Sequence, residues 1–318
     1  MRPAHTALAV GVTAVLGVNF VVIDVGLGHF PPLLLSALRF LVAAVPAVFF
    51  VGRPKVAWKW IIGVGLALGV AKFGLLFIGM DRGMPPGLAS LVLQIQAVFT
   101  VLIAAVFLRE RPGGVRIAGM TIALAGIGVA AVDRGASAPV SAFSLVIVAA
   151  ACWGVSNVLT RKAAPPDAFN FMIWVSTVPV LPLLALSLVF EGPGASAAAL
   201  RGLDWGGVGS VLFIAWGATV FGFGAWGYLL RRYPASSVAP FSLLVPFFGM
   251  SSAALLLGER ITPLGWVSAA LLVGGIAVTS LSRAAPPDTP APAPEAPATP
   301  PPPEPSASRT PSSARSVG

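Results

Sequence analysis

Apolar positions fill the chain from about residue 5 to residue 282 in ten blocks, separated only by short polar or Pro/Gly-rich turns. The blocks cover 5–28, 32–51, 58–80, 86–108, 113–132, 141–162, 167–190, 205–229, 235–257 and 263–281. A hydrocarbon core about 30 Å thick takes about 20 helical residues at 1.5 Å each, so each block is long enough to cross a bilayer. Runs such as Leu41-Val42-Ala43-Ala44-Val45 and Ala253-Ala254-Leu255-Leu256-Leu257 are apolar on every side. They lack the two-residue alternation of a membrane β-barrel strand. The pattern predicts an all-α membrane protein of ten transmembrane helices, with connections too short to hold an extramembrane domain.

The second set of five blocks echoes the first. Residues Pro85–Arg111 and Pro234–Arg260 align without a gap at a shift of 149. The alignment matches Ala104-Ala105 with Ala253-Ala254, and Leu108-Arg109-Glu110-Arg111 with Leu257-Gly258-Glu259-Arg260. Gly17-Val18-Asn19 recurs as Gly154-Val155-Ser156-Asn157. The expected domains are therefore repeats at 5–132 and 141–281. Five spans per repeat is an odd number, so the second repeat must run through the membrane inverted, an arrangement that lets two halves exchange conformations around a midplane site.

Composition narrows the classes. A mean hydropathy of +0.90 and 10% charged residues exclude a soluble domain. The formal charge of +9 is spread over loops rather than gathered in one stripe, and no nucleic-acid motif accompanies it. Topology accounts for it. With the N-terminus in the cytoplasm, Arg2, Arg53, Lys55, Lys59, Arg109, Arg111, Arg116, Arg161, Lys162, Arg231, Arg232 and Arg283 fall inside, against Arg82, Arg134, Arg201 and Arg260 outside. Ten spans return the C-terminus to the same side. The single cysteine, Cys152, cannot form an internal disulfide, and the first block is too long for a signal-peptide core. Residues 284–318 switch to Pro, Ala, Ser, Thr and Glu, a composition that predicts a disordered cytoplasmic tail.

An ionisable side chain inside a bilayer costs about 2.5–3.5 kcal/mol on insertion scales, so each one needs a reason. Asp24, Arg39 and Lys72 all fall in the outer halves of spans 1, 2 and 3, where gating or coupling roles are expected. Asp24 and Arg39 sit at similar depth across the His29–Pro32 turn, close enough to pair. Lys72 has no acid on its own helix and could reach the outer interface, a carboxylate on another helix, or a bound anion. Asn19, Gln94, Gln96 and Asn157 are the candidate substrate contacts, because amides donate and accept at once and so suit a zwitterion. Interhelical hydrogen bonding is the plainer use of such residues. Pro46, Pro179, Pro182, Pro240 and Pro246 predict kinks. Trp153, Trp174, Trp216 and Trp226 read first as interface or packing residues. No HExxH, metal-ligand cluster or Ser/His pair is present, so no catalytic residue, cofactor or metal is expected.

Gly17–Ile23, Pro31-Pro32-Leu33 through Leu38-Arg39-Phe40, Gly83-Met84-Pro85 through Gln94, and Ala239-Pro240 through Pro246 resemble the EamA family of the drug/metabolite transporter superfamily, and most closely its bacterial O-acetylserine/cysteine exporters. The resemblance covers nearly all of residues 7–282. It implies two EamA-type repeats, both termini cytoplasmic, and a central cavity between helices 1, 3, 4, 6, 8 and 9. The function it implies is inner-membrane efflux of small metabolites or amino acids; alternating access is expected from the inverted repeat, and protons are the expected coupling ion. The chain departs from the family pattern at Leu16, where Trp is usual, and at Asp24 and Lys72. A second expectation is broad efflux of drugs or amphipathic compounds over a lining of Phe221, Phe223, Phe247 and Phe248.

Overall fold

The computed structural model describes residues 1–110, 112–133 and 138–281. Arg111, Arg134 and Arg283, which enter the charge count, and the tail 284–318 lie outside the described residues. Among those residues the secondary structure is helical, with no strand. Ten helices follow the ten apolar blocks. They are α1 (Pro3–Leu27), α2 (Pro32–Val48), α3 (Trp58–Asp81), α4 (Pro86–Phe107), α5 (Gly114–Asp133), α6 (Val140–Ala163), α7 (Ala168–Phe190), α8 (Trp205–Arg232), α9 (235–257) and α10 (Pro263–Leu281). All but α2 are long and apolar enough to cross a membrane by length and composition. Pro46 lies inside α2, which has 17 residues and ends at Val48 rather than running on to residue 51. A short helix, Pro193–Arg201, fills the connection between α7 and α8.

The two halves pack in exchanged pairs. α1 lies against α9 as α6 lies against α4, and α1 against α8 as α6 against α3, while α2 meets α7 and α5 meets α10. Glycine permits the closest crossings. A Cβ added at Gly17 would lie 2.5 Å from Phe248 Cβ, and one at Gly154 would lie 2.9 Å from Phe99 Cβ. Those four positions correspond under the repeat, so one backbone device is used twice. α5 and α10 close on each other through Gly119, Gly126 and Gly275, as small residues allow where apolar lipid gives helices no hydrophobic reason to associate. The fold is an all-α membrane architecture of two inverted five-helix repeats.

Several helices leave α geometry, again in repeat-related places. α3 passes through a π segment at Gly65–Lys72, and α8 through one at Phe213–Gly222. α4 tightens to 3₁₀ at Leu93–Ile95, and α9 at Ala239–Leu243. α7 breaks between Thr177 and Val180 at Pro179, one of the prolines that predict kinks. Val178 and Pro179 of that break sit on Gly65 and Gly69 of the α3 π segment, where a Cβ would lie 2.5 Å from either side chain. The end of the bundle that bears the start of α1 and the end of α10 is termed the terminal end, and the opposite one the far end.

Candidate functional site

Two buried cations form the polar centre. α2 carries Arg39, 2% exposed, and the end of the α3 π segment carries Lys72, 4% exposed. Both rest on one ring: Arg39 Cζ is 3.9 Å and Lys72 Nζ is 3.2 Å from the centroid of Phe73. Phe40 and Phe77 lie farther from the guanidinium at 5.1 and 5.9 Å, and Trp153 of α6 lies 4.7 Å from the ammonium. Arg39 Nη2 donates to Thr219 Oγ1 of α8 at 2.8 Å, and the Thr219 hydroxyl donates to the Ile214 carbonyl, five residues back as π winding permits. Cation–π contact offsets part of the burial cost, by about 2 kcal/mol or more where desolvated. It does not supply a counter-charge.

Depth along the helices does not settle the partners of the three charges. Among the described residues no ion pair joins Asp24 to Arg39; the cation turns to α8 and the aromatic rings instead. Lys72 does not snorkel to the interface. Its stem is enclosed and its head sits on Phe73 and Trp153, which places Trp153 at the site rather than in an interface belt. Asp24 is half-buried near the far end, close enough to Glu259 for its charge to act there.

The four amides are placed differently from one another. Asn157 Nδ2 donates to Gln96 Oε1 at 2.8 Å and to Thr100 Oγ1 at 3.1 Å, tying α6 to α4. Gln94, in the 3₁₀ turn of α4, donates to the Ser242 carbonyl in the 3₁₀ turn of α9 at 3.3 Å, so the two irregular turns touch. Asn19 is buried and its Oδ1 has no partner. Of the expected aromatic lining, Phe221 and Phe247 are 48% and 53% exposed, and none of the four phenylalanines lines the cavity found at the far end. That cavity, about 400 Å³, opens at the far end between α4, α5, α9 and α10, and is bordered by Gly87, Leu91, Asp133, Glu259 and Thr262.

Bonds between the halves join them at both ends of the bundle. At the far end, Glu191 accepts from Leu33 N–H at 2.6 Å and Leu34 N–H at 3.2 Å, capping α2, and Glu259 accepts from Gly87 N–H at 2.9 Å, capping α4. A carboxylate at a helix N-terminus meets free N–H groups and the positive end of the dipole. Burial pushes the Glu259 carboxyl up from the ordinary range, the Gly87 and Leu88 N–H groups pull it down, and Asp24 adds to the rise. His29 meets Asp204 at 3.1 Å; donation to the Val25 carbonyl, with help from Asp204, raises the imidazole, and the Gly207 N–H bond lowers the carboxyl. At the terminal end, Arg161 pairs with Glu110 at 2.6 Å, and Asn170 and Trp174 donate to the Gly52 carbonyl at 2.8 and 3.0 Å. The π segments, the shared Phe73 ring and the capping glutamates carry no signature in the sequence. Only the Glu110/Glu259 correspondence points toward the last.

The sequence profile of the EamA-like transporter family matches residues 5–132 and 140–281. The chain belongs to the EamA-like transporter family. Membership makes it a multi-pass membrane transporter rather than an enzyme. A "Probable amino-acid metabolite efflux pump" of Escherichia coli K12 is 42% identical over 275 residues, covering 85% of this chain and 92% of that protein. A "Probable terminal-alkyne amino-acid exporter" of Streptantibioticus cattleyicolor is 31% identical over 266 residues, covering 81% and 86%. A solved crystal structure is similar with a TM-score of 0.60 at 21% identity, covering 88% of this EamA-like chain and 98% of the other, and that likeness concerns the fold alone.

Proposed function

We propose that this EamA-like protein exports small amino-acid metabolites, of the cysteine and O-acetylserine kind, across the bacterial inner membrane by alternating access coupled to protons. The observation that carries the reading is a pair of buried cations, without an acid partner among the described residues, inside a bundle of inverted repeats that also buries amides, in a chain 42% identical to a protein named "Probable amino-acid metabolite efflux pump". An amino acid is a zwitterion, and the bundle offers it cations and the bare amide oxygen of Asn19 where lipid offers nothing. Asn19, Gln94, Gln96 and Asn157 are the proposed substrate contacts. Asp24, Arg39 and Lys72 set the electrostatics of the gate, with Asp24 as the titrating group. The basic residues of the terminal end support a cytoplasmic location for both termini. Broad efflux of amphipathic compounds is the second reading; of its four phenylalanines, Phe221 and Phe247 are exposed and Phe223 and Phe248 half-buried.

Cells expressing the protein under amino-acid or precursor load should survive better and release more of the loaded metabolite, measured by mass spectrometry of the medium. Uptake into inverted vesicles should follow an imposed pH gradient, and Asp24→Asn should abolish that dependence. Release no greater than in vector controls refutes export. Unchanged gradient dependence in Asp24→Asn refutes the coupling role.

A further inference from the structure

We propose that Arg39 and Lys72, joined through the Phe73 ring, are the binding site for the carboxylate of the transported solute. The inference rests on the export reading and moves these two cations from gate electrostatics to substrate contact.

Bonding capacity at this centre is unmet. Among the described residues, the buried side-chain atoms without a hydrogen-bond partner are Asn19 Oδ1, Ser36 Oγ, Arg39 Nε, Arg39 Nη1 and Arg116 Nε. All but the last lie on α1 and α2 in the same part of the bundle. Ser36 stands one turn before Arg39 on α2. The level of Asn19 follows from the register of α1 on α8: Gly26 lies against Ser210 and Gly222 against Leu16, so Asn19 is level with Thr219, which holds Arg39. Buried polar groups are nearly always paired in folded proteins, and each exception calls for an explanation. Three of these atoms stand within one turn of α2, and the fourth, Asn19 Oδ1, is level with Thr219 on α1.

Charge sharpens the case. Arg39 Nε and Nη1 carry three of the five guanidinium N–H groups, all without an acceptor. Lys72 adds a second positive head on the same aromatic ring. The ion pairs among the described residues are His29–Asp204, Arg161–Glu110 and Arg231–Asp167, and none reaches either cation. Two like charges removed from water without an acid are costly twice over, once for desolvation and once for mutual repulsion. A single carboxylate bound at the open Arg39 N–H groups, with Lys72 adding its charge from the same ring, answers both costs, and the planar guanidinium matches its two oxygens. The bare acceptor Asn19 Oδ1, level with the Thr219 that holds Arg39, is of the sign that an ammonium group needs.

The experiment uses the purified full chain in proteoliposomes, with L-cysteine as probe. Counterflow of labelled L-cysteine is measured against competition by L-cysteine, by 3-mercaptopropionate, which keeps the carboxylate and lacks the amine, and by cysteamine and L-cysteine methyl ester, which lack a free carboxylate. The two acids should compete; the two carboxylate-free amines should not. Arg39→Gln and Lys72→Gln should each raise the KM for L-cysteine about ten- to hundredfold, the worth of a hydrogen bond to a charged group, while Arg39→Lys should recover part of the loss. Thermal stability of the wild-type protein gives a readout independent of the variants: L-cysteine and 3-mercaptopropionate should raise Tm at concentrations where cysteamine and chloride do not.

Equal competition by cysteamine or the methyl ester overturns the proposal, as does a KM within twofold of wild type in both glutamine variants. Stabilisation by chloride as strong as by L-cysteine assigns the cations to inorganic anions and overturns it too. Each of those outcomes leaves export itself standing. A wild-type protein that moves no amino acid in cells or liposomes removes the export reading and the carboxylate site with it.

Discussion

Gly17→Ala tests whether the α1–α9 crossing is as tight as the backbone geometry says. The added Cβ would sit 2.5 Å from Phe248 Cβ and 2.8 Å from the Gly249 nitrogen, whereas ordinary contact begins at about 3.4 Å. Both obstacles are fixed to backbone, so no rotamer change relieves them, and α1 must part from α9 by about 0.9 Å. Overpacking of this kind costs about 1–3 kcal/mol, opposed by up to about 1 kcal/mol of helix propensity gained when Gly becomes Ala. Gly11→Ala isolates the propensity gain, because a Cβ there meets nothing within 4 Å. The repeat twin Gly154→Ala is a milder insult, its Cβ lying 2.9 Å from Phe99 Cβ and 3.0 Å from the Thr100 nitrogen. Unfolding of the purified protein in detergent should therefore rank Gly11→Ala most stable, then Gly154→Ala, then Gly17→Ala, with the two extremes separated by about 1–3 kcal/mol. Because Gly17 and Asn19 share one turn of α1, the shift should also impair transport. Gly17→Ala as stable as Gly11→Ala would refute the close-crossing argument.

The latch and the amide bond between the halves are testable in the same way. The raised Glu259 carboxyl means that the folded state holds this proton more tightly than the unfolded chain, so its contribution is complete below the ordinary glutamate value, about 4.3, and is lost as pH rises through the raised value. The stability difference between wild type and Glu259→Gln, followed in detergent from pH 4 to 7, should accordingly shift against wild type as pH rises; a flat difference contradicts the burial argument. Asn157→Ala should destabilise by about 0.6–1.7 kcal/mol by breaking its bonds to Gln96 and Thr100, and a double-mutant cycle with Gln96→Ala should show coupling of that order. Additive effects would show that the bond across α4 and α6 contributes nothing.

The helices are legible in the sequence because lipid imposes a length and an apolar character that few other constraints disturb, and the ten apolar blocks correspond to the ten helices. The repeat is legible for a related reason. Gly17 and Gly154 must remain small where helices touch, and such positions keep their identity in both halves. Side-chain partners are harder to read. Depth along a helix follows from counting residues, but facing depends on rotation, and the π segments in α3 and α8 reset rotation at the point where Lys72 and Thr219 emerge. Counting alone sets Asp24 beside Arg39, while the folded chain turns Arg39 toward α8 and leaves Asp24 near Glu259. Gln96 and Asn157 both stand out in the sequence, yet their bond to each other depends on α4 crossing α6 at Gly154.

Symmetry of frame and asymmetry of chemistry together explain how a duplicated chain comes to hold one charged centre rather than two. The crossings at Gly17 and Gly154, the π segments of α3 and α8 and the 3₁₀ turns of α4 and α9 all recur. The cations do not recur. At the shift that pairs Phe99 with Phe248, Lys72 corresponds to Phe221; at the shift that pairs Gly17 with Gly154, Arg39 corresponds to Ser176. A second buried cation pair on the other half would add its own desolvation cost and repel the first. The repeat-related glutamates diverge as well: Glu259 is half-buried on the N-terminus of α4, whereas its twin Glu110 pairs with Arg161 at the surface. Equivalent backbones therefore carry unequal latches. Glu259 holds α4 at the far end through a carboxylate whose charge burial disfavours, whereas its twin Glu110 at the terminal end sits in an exposed ion pair that salt weakens, so one repeated position answers to protons in one half and to ionic strength in the other.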